Sequence, residues 1–175
     1  AWGRRDRPGP TTPMSNIMLD APQVIETAPQ LIASIRLCVP WGEMRKVMGP
    51  GISELRAAVA AQGIAPTGAW FDHHFRRPAD TFDFEICLPV AARVKPVGRV
   101  KAGQLPAATV ARTIYHGTYD GLGAAWGEFE AWIVANGHKM GPDFWQCYLA
   151  GPESNADPAT WRTELNRPLI AAKAG

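Results

Sequence analysis

Long apolar stretches are missing from this 175-residue sequence. It has no uninterrupted apolar run of membrane-spanning length, and near its N-terminus it lacks the short apolar core of a secretory signal peptide. We therefore expect a cytoplasmic protein that makes no contact with membranes. Cysteine is scarce as well: Cys38, Cys87 and Cys147 are odd in number and show no short metal-ligand spacing, which predicts reduced, partly buried thiols.

Charge of either sign is also sparse. Charged residues make up 19% of the chain, and the formal net charge is +2. Proteins that bind nucleic acid directly carry a concentrated basic surface, and so do proteins that dock on anionic membranes. The near-neutral balance therefore predicts that nucleic acid is not a direct partner.

Two short motifs invite a metal or cofactor interpretation, and their chemistry argues against it. Asp72-His73-His74 contains metal-binding residue types, but adjacent strand residues point to opposite faces, and the companion acidic and histidine motifs of such a site are absent. Gly49-Pro50-Gly51 lacks the lysine and the following serine or threonine of a phosphate-binding loop. We predict neither a metal nor a cofactor.

What the sequence does contain is an internal duplication. Residues 82–90 and 161–169 each place one glutamate, Glu85 or Glu164, in a strand-like run. Each glutamate is followed by an apolar residue, two others, a proline and an aliphatic residue. A glutamate inside a strand is disfavoured, and burying it unpaired is costly, so two in matched contexts indicate a shared structural plan.

The residues before each glutamate repeat in the same order. A helical run ends at Gly63 in one half and at Gly137 in the other, and an aromatic residue opens the next strand-like segment seven positions after each glycine. An apolar strand-like run precedes each helix. Both halves are therefore predicted to form strand, helix, strand, strand, over residues 23–90 and 107–170.

A single domain is expected, because two duplicated halves of roughly 75 residues would normally share one core. Residues 1–22 are predicted to form an arm that is disordered or foreign to the natural protein, and residues 91–106 a linker between the halves. The pattern predicts one strand over residues 24–39 and a helix over 43–62. Gly49-Pro50-Gly51 is expected to divide that helix into a short turn and a main helix.

Aromatic side chains concentrate on the strands that lead to the glutamates. Alternation places Phe144 and Tyr148 on one face of a strand and Trp145 on the other. Helices can cover only one face of the sheet, so the second face is either buried in a homodimer or open as a pocket. Tyr148 is singled out because its hydroxyl can hydrogen-bond a ligand or orient Glu164.

The duplicated unit, with its aromatic-rich penultimate strand and its closing Thr-Glu-Leu-x-x-Pro-Leu, resembles the GyrI-like small-molecule-binding family, which also forms the effector-binding half of some AraC-type and MerR-type multidrug regulators. The resemblance covers about residues 24–170 and is most specific over 109–169. It implies an α+β fold with tandem β-α-β-β repeats in one antiparallel sheet, two helices on one face, and a ligand groove between the pseudo-symmetric halves. No helix-turn-helix fits before the domain, so we expect a stand-alone member that does not contact DNA itself.

The resemblance also implies a site. The family's characteristic acidic residue near the end of the domain corresponds to Glu164, and Glu85 is its pseudo-symmetric partner. A carboxylate that faces an apolar, aromatic groove favours a cationic or hydrogen-bond-donating ligand, because a low-dielectric surrounding strengthens the attraction. The alternative for Glu164 is an exposed strand residue paired with Arg162 or Arg167. The predicted ligand-binding residues are Glu164, Tyr148, Phe144, Trp145, Trp70, Phe71, Glu85 and Trp126.

Three functions stay open at this point. The first is a cytoplasmic module that binds lipophilic, often cationic aromatic molecules for sequestration or sensing. The second is hydrolysis of reactive cyclopropane-bearing toxins, which some GyrI-like proteins perform, with Glu164 as general base and Tyr148 or Glu85 as the acid or the substrate-orienting group. The third is a protein-interaction role of the gyrase-inhibitor type.

Overall fold

Ten strands and two long helices follow one another in the computed structural model, which describes residues 17–76 and 80–171. Three single turns of 3-10 helix connect some of them. The strands are β1 Met18–Leu19, β2 Gln23–Glu26, β3 Gln30–Pro40, β4 Phe71–His74, β5 Thr81–Pro89, β6 Lys101–Leu105, β7 Thr109–His116, β8 Lys139–Met140, β9 Phe144–Ala150 and β10 Arg162–Ile170, and the helices are α1 Met44–Ala61 and α2 Leu122–Ala135.

The strands form one antiparallel sheet in the order β1-β7-β10-β9-β4-β5-β3-β6, with β2 also on β7 and β8 on β10. Its centre is the pair β4 and β9, one strand from each half, in which Asp72 lies opposite Gln146. On either side of this pair the strands repeat in the same order, β5 and β3 on one side and β10 and β7 on the other. The expected tandem β-α-β-β halves and their antiparallel sheet are confirmed.

Both helices pack on the same face of the sheet. One row of paired residues crosses the sheet from Ile86 through Asp72 and Gln146 to Leu165, so these four side chains share a face. Ile86 packs with α1 and Leu165 packs with α2. The helices contribute the buried residues Leu55 and Val59 from α1 and Ala125, Phe129 and Ile133 from α2.

The sheet is curled, because two very short connections join its ends. β2 lies at the β7 end of the sheet and β3 near the other end, yet only residues 27–29 separate them in the chain. Residues 106–108 likewise connect β6 to β7. At about 3.3–3.6 Å per residue, such a link spans only on the order of 13 Å.

The two connections also bond to each other, and we call them together the seam (residues 27–29 and 106–108). The backbone N–H of Thr27 donates to the carbonyl oxygen of Ala108 at 2.9 Å. The Ala108 N–H donates in return to Thr27 Oγ1 at 3.2 Å. Inside the curl, side chains from distant strands form one apolar cluster, which contains Ile32, Phe71, Cys87, Val110 and Trp145.

The expected break in the first helix is wrong, because α1 runs unbroken through Gly49-Pro50-Gly51. Proline in a helix interior removes one backbone hydrogen bond. Gly51 offsets this cost by allowing α1 to lie close to β5: a Cβ on Gly51 would lie 2.6 Å from Ile86 Cδ1. The packing of α1 on β3 and β5 therefore outweighs the local signal.

The expected first strand is also corrected, and the expected linker contains a strand. Residues 91–106 contain β6, which extends the sheet by pairing with β3. The strand predicted over residues 24–39 is two strands, β2 and β3, because residues 27–29 between them belong to the seam and include Pro29, which has no N–H for a ladder.

Part of the predicted arm lies in the sheet, since β1 pairs with β7. Residues 1–16 of that arm, residues 77–79 of the loop between β4 and β5, and residue 172 lie outside the described residues. Within residues 17–76 and 80–171, neither helix has the length and apolar character needed to cross a membrane.

The close approach of α1 to β5 gives a stability prediction. Gly51→Val is expected to lower the free energy of unfolding by about 1–3 kcal/mol, because the added carbons force the buried Ile86 out of place. Gly127→Ala in α2 is the matched control, since an added Cβ there meets no atom within 4 Å. This change should raise stability by roughly 0.5–1 kcal/mol through helix propensity. Urea denaturation measures both, and equal responses of the two variants would contradict the close packing.

Candidate ligand-binding site

A cavity of about 450 Å³ lies inside the curl, on the face of the sheet that points away from the helices. The curl itself covers much of this second face, for which a pocket or a homodimer was expected; the homodimer stays a prediction. Both halves and the seam contribute to the cavity wall. Its lining residues are Thr27, Ala28, Gln30, Thr67, Gly68, Ala69, Phe71, Pro89, Leu105, Arg112, Trp145, Cys147, Leu149 and Glu164.

Glu164 points into this cavity from β10 because its chain neighbours point the other way. Thr163 and Leu165 are fully buried on the helix-facing side, and alternation along the strand then places Glu164 inside the curl. The Glu164 side chain keeps 17% of its exposure. Asn166, two residues further along the same face, donates from Nδ2 to Glu164 Oε1 at 3.1 Å and so fixes the carboxylate.

The cation beside Glu164 comes from the neighbouring strand β7. Arg112 Nε lies 3.2 Å from Glu164 Oε1 and donates to Asn166 Oδ1 at 2.6 Å. The sequence suggested Arg162 or Arg167 for this role. Arg167 instead pairs with Glu130 of α2 at 3.3 Å, on the opposite face of the sheet.

A thiol completes the surroundings of the carboxylate. Cys147 of β9 lies directly opposite Glu164 in the strand register. Burial raises the pKa of the Cys147 thiol, and the negative charge of Glu164 raises it further. Cys147 is therefore a neutral thiol beside Glu164, and it adds no charge to the cavity.

Four of the predicted site residues lie on the helix side of the sheet instead. The Tyr148 hydroxyl donates to Asp72 Oδ2 at 2.6 Å, and burial followed by the nearby Asp72 charge raises the Tyr148 pKa. Trp70 stacks on the Tyr148 ring, with 4.3 Å between the ring centroids. Phe144 and Trp126 pack against each other there as well, at 4.8 Å. The expectation that Tyr148 orients Glu164 is therefore wrong, because the sheet separates the two side chains.

The structure thus brings together three of the eight predicted residues, since Glu164, Trp145 and Phe71 line the cavity. Glu85 lies on the same face but does not line it. Sequence reasoning missed Arg112, although its position two residues from Val110 on one face of β7 was a usable signal. It also missed Asn166, Cys147 and the seam residues of the wall.

Glu85 belongs to a separate charged cluster around His73. His73 Nδ1 lies 3.2 Å from Glu85 Oε1, and His73 Nε2 lies 2.9 Å from Asp143 Oδ2. Burial lowers the pKa of the imidazole, but the hydrogen bonds to Asp143 and Glu85 and their charges outweigh this and raise it to about 9. The bond to His73 also lowers the pKa of Asp143. His73 is therefore an imidazolium at neutral pH, with a carboxylate on each side.

The neighbouring residues of the Asp72-His73-His74 motif point to the other face. His74 is buried between the rings of Phe84 and Phe144, at centroid distances of 5.2 and 4.8 Å. Among the residues that the structure describes, no group of three or more His, Cys, Asp or Glu side chains could hold a metal ion.

The His73 cluster predicts how stability depends on pH. The pKa of His73 is about 9 in the folded protein and 6.5 ordinarily. The protonated His73 therefore stabilises the folded state fully below pH 6.5, and this contribution is lost as the pH rises through 9. The loss is up to about 3 kcal/mol, at roughly 1.4 kcal/mol per pKa unit. We expect the free energy of unfolding of the wild type to fall between pH 6 and 9.5 relative to that of His73→Gln. Denaturant titrations measure the unfolding free energy of both proteins across this range, and their difference removes the contribution of the other titrating groups. If the two free energies change with pH in parallel, the raised pKa of His73 is contradicted.

Comparison with known proteins adds an independent observation. The sequence model of the family described as the GyrI-like small molecule binding domain matches residues 20–169 of this chain. No curated protein sequence matches this chain significantly. The crystal structure of the EcmrR C-terminal domain is similar at a TM-score of 0.78 and 24% identity, over 87% of this chain and 98% of that domain. The EcmrR chain in an EcmrR–DNA complex is also similar, at a TM-score of 0.77 and 24% identity. The match covers 87% of this chain and only 58% of the EcmrR chain.

Two further structures share the fold. SAV2435 bound to tetraphenylphosphonium matches at a TM-score of 0.58 and 12% identity, over 87% of this chain and 95% of that one. A hydrolase from Listeria innocua matches at a TM-score of 0.58 and 14% identity, over 85% and 91%. These identities are low, so the likenesses establish the fold alone. The family model covers most of the sequence, and this chain belongs to the GyrI-like small-molecule-binding domain family.

Proposed function

We propose that the cavity inside the curl binds lipophilic aromatic molecules that carry a positive charge, as a cytoplasmic module for sequestration or sensing. The observation that carries this proposal is the position of Glu164, whose carboxylate faces a cavity shared with the rings of Trp145 and Phe71. A carboxylate in a largely apolar wall attracts a cation more strongly than one in open water does.

The size of the cavity supports a ligand of drug-like dimensions. Its volume of about 450 Å³ lies within the range of roughly 300–1,000 Å³ that small-molecule pockets occupy. Trp145 and Phe71 line the wall with largely buried rings, which offer apolar contact to a ligand. Both halves of the domain supply wall residues, as the family resemblance implies for a groove between halves.

The similar structures add support of a general kind. SAV2435, which shares the fold, is bound to tetraphenylphosphonium, a permanent lipophilic cation. EcmrR, another protein with this fold, is found in a complex with DNA, and this chain matches only 58% of the EcmrR chain. We extend to this chain only the binding of a lipophilic cation, and use tetraphenylphosphonium as the probe.

The hydrolase hypothesis has less support from the site. It requires Tyr148 or Glu85 beside Glu164, but Tyr148 lies across the sheet and donates to Asp72. Glu85 faces His73 and does not line the cavity. No feature of the cavity favours a gyrase-type protein partner, so we propose small-molecule binding alone.

The central test removes the charge of Glu164 while keeping its shape. Glu164→Gln is expected to weaken tetraphenylphosphonium binding about tenfold or more, because tenfold corresponds to only about 1.4 kcal/mol of lost attraction. Quenching of tryptophan fluorescence reports binding, since Trp145 lines the cavity. Saturable binding with unchanged affinity in Glu164→Gln would contradict the proposal.

The pseudo-symmetric glutamate supplies the matched control. Glu85→Gln removes the equivalent carboxylate from β5, outside the cavity wall. We expect its affinity for the same probe to stay within about threefold of the wild type. Thermal unfolding of both variants separates lost binding from lost folding, and a larger effect of Glu85→Gln would place the ligand in the other half.

A further inference from the structure

We propose that Arg112 is a built-in counter-ion of Glu164, which a cationic ligand must displace before it can use the carboxylate. Arg112 would then determine how strongly the cavity selects for positive charge. This inference rests on the proposed function and concerns the same cavity.

Three side chains, Arg112, Glu164 and Asn166, contact one another in a closed arrangement. Arg112 Nε lies 3.2 Å from Glu164 Oε1 and donates to Asn166 Oδ1 at 2.6 Å. Asn166, which is fully buried, donates from its amide to Glu164 Oε1 at 3.1 Å. The unliganded cavity therefore already satisfies its carboxylate with a positive charge and a hydrogen bond.

A ligand that enters the cavity meets a positive and a negative side chain together. Arg112 and Glu164 both line the cavity, and Cys147 beside them is neutral. While the ion pair is intact, a cation that enters is attracted by Glu164 and repelled by Arg112 over similar distances. The two effects largely cancel, so the carboxylate contributes to cation binding only after the guanidinium moves away.

Arg112, rather than Glu164, is the partner that moves. The Arg112 side chain keeps 33% of its exposure, against 17% for Glu164, so the guanidinium lies nearer to solvent. Arginine is also longer than glutamate and stays charged in water, so the guanidinium can reach solvent when it leaves the pair. Asn166 holds Glu164 from the same strand and continues to do so when Arg112 has left. The arginine therefore yields, and the carboxylate stays in place.

This arrangement predicts a distinction between ligands by charge. A permanent lipophilic cation without hydrogen-bond donors takes over the place of the guanidinium beside Glu164, and the cost of displacing Arg112 lowers its affinity. A neutral aromatic molecule of similar size contacts the apolar wall and leaves the ion pair intact. Removing the Arg112 charge should consequently help the cation and hardly affect the neutral molecule.

The experiment compares tetraphenylphosphonium with neutral triphenylmethane, which has no hydrogen-bond acceptor, by tryptophan fluorescence quenching in the wild type, Arg112→Met and Arg112→Gln. Either substitution is expected to tighten binding of the cation about tenfold and to change binding of the neutral molecule less than about threefold. Arg112→Gln retains a donor for Asn166 Oδ1, which keeps the test open if Arg112→Met folds poorly. Arg112→Lys, which keeps the charge, should not show the gain.

Two controls separate local from general effects. Arg99→Met removes the same charge from an exposed pair with Glu54 of α1 and should leave both affinities unchanged. In the double variant Arg112→Met with Glu164→Gln, the gain for the cation should disappear, because the two side chains act on each other.

The outcomes distinguish this inference from the proposed function. If the wild type binds the cation and both Arg112 variants bind it equally or more weakly, Arg112 is not a competing counter-ion, and the proposed function stands. If neither the wild type nor any Arg112 variant binds the cation, the proposed function fails and this inference fails with it. Binding by the Arg112 variants alone would support both.

Discussion

The seam is the constraint on which the rest of the structure depends. Two connections of three residues join strands from opposite ends of the sheet, and Thr27 and Ala108 hydrogen-bond across them. A flat sheet of this strand order would place those ends far apart, since neighbouring strands are about 4.8 Å apart. The sheet must therefore curl, and the curl turns its second face into an interior. The helices then cover only the outer face, and the cavity with Glu164 is the space that the inner face leaves unfilled.

The two halves show why one glutamate meets a cavity and the other does not. In the strand register, His73 lies opposite Glu85 and Cys147 lies opposite Glu164, so these pairs occupy equivalent positions. The imidazolium of His73 is large and hydrogen-bonds both Glu85 and Asp143. It therefore occupies the space beside Glu85 in the first half. The smaller, neutral thiol of Cys147 leaves room beside Glu164. The duplication thus supplied two similar positions, and a difference of one side chain on the adjoining strand separates a structural cluster from a candidate site.

The sequence could predict whatever depends on local periodicity or on the duplication itself. The order of strands and helices in each half and the positions of Glu85 and Glu164 within strands follow from short-range patterns, and the structure agrees with them. The cation beside Glu164 could not be found in this way, because Arg112 reaches it only through the pairing of β7 with β10. The prediction that Tyr148 orients Glu164 was wrong for a similar reason. Strand pairing places Tyr148 opposite Thr163, and so on the helix-facing side of the sheet. The continuous helix α1 was missed because tertiary packing around Gly51 overrides a local helix-breaking signal.

The residues on the helix side also have a part in the cavity, although they do not line it. Where the halves meet, Gln146 donates to Asp72 at 3.0 Å and accepts from the Trp126 indole at 2.9 Å, which ties α2 to both central strands. Asp72 is fully buried and accepts from Tyr148 as well, so its two oxygens find these donors only in this register. A slip of one residue between β4 and β9 would move these polar groups to the other face and leave them unsatisfied. The same register fixes the spacing of Phe71 and Trp145, which lie on the inner face of the same two strands. The buried polar network therefore holds the aromatic wall of the cavity in one position before any ligand arrives, and this limits the ordering cost that binding must overcome.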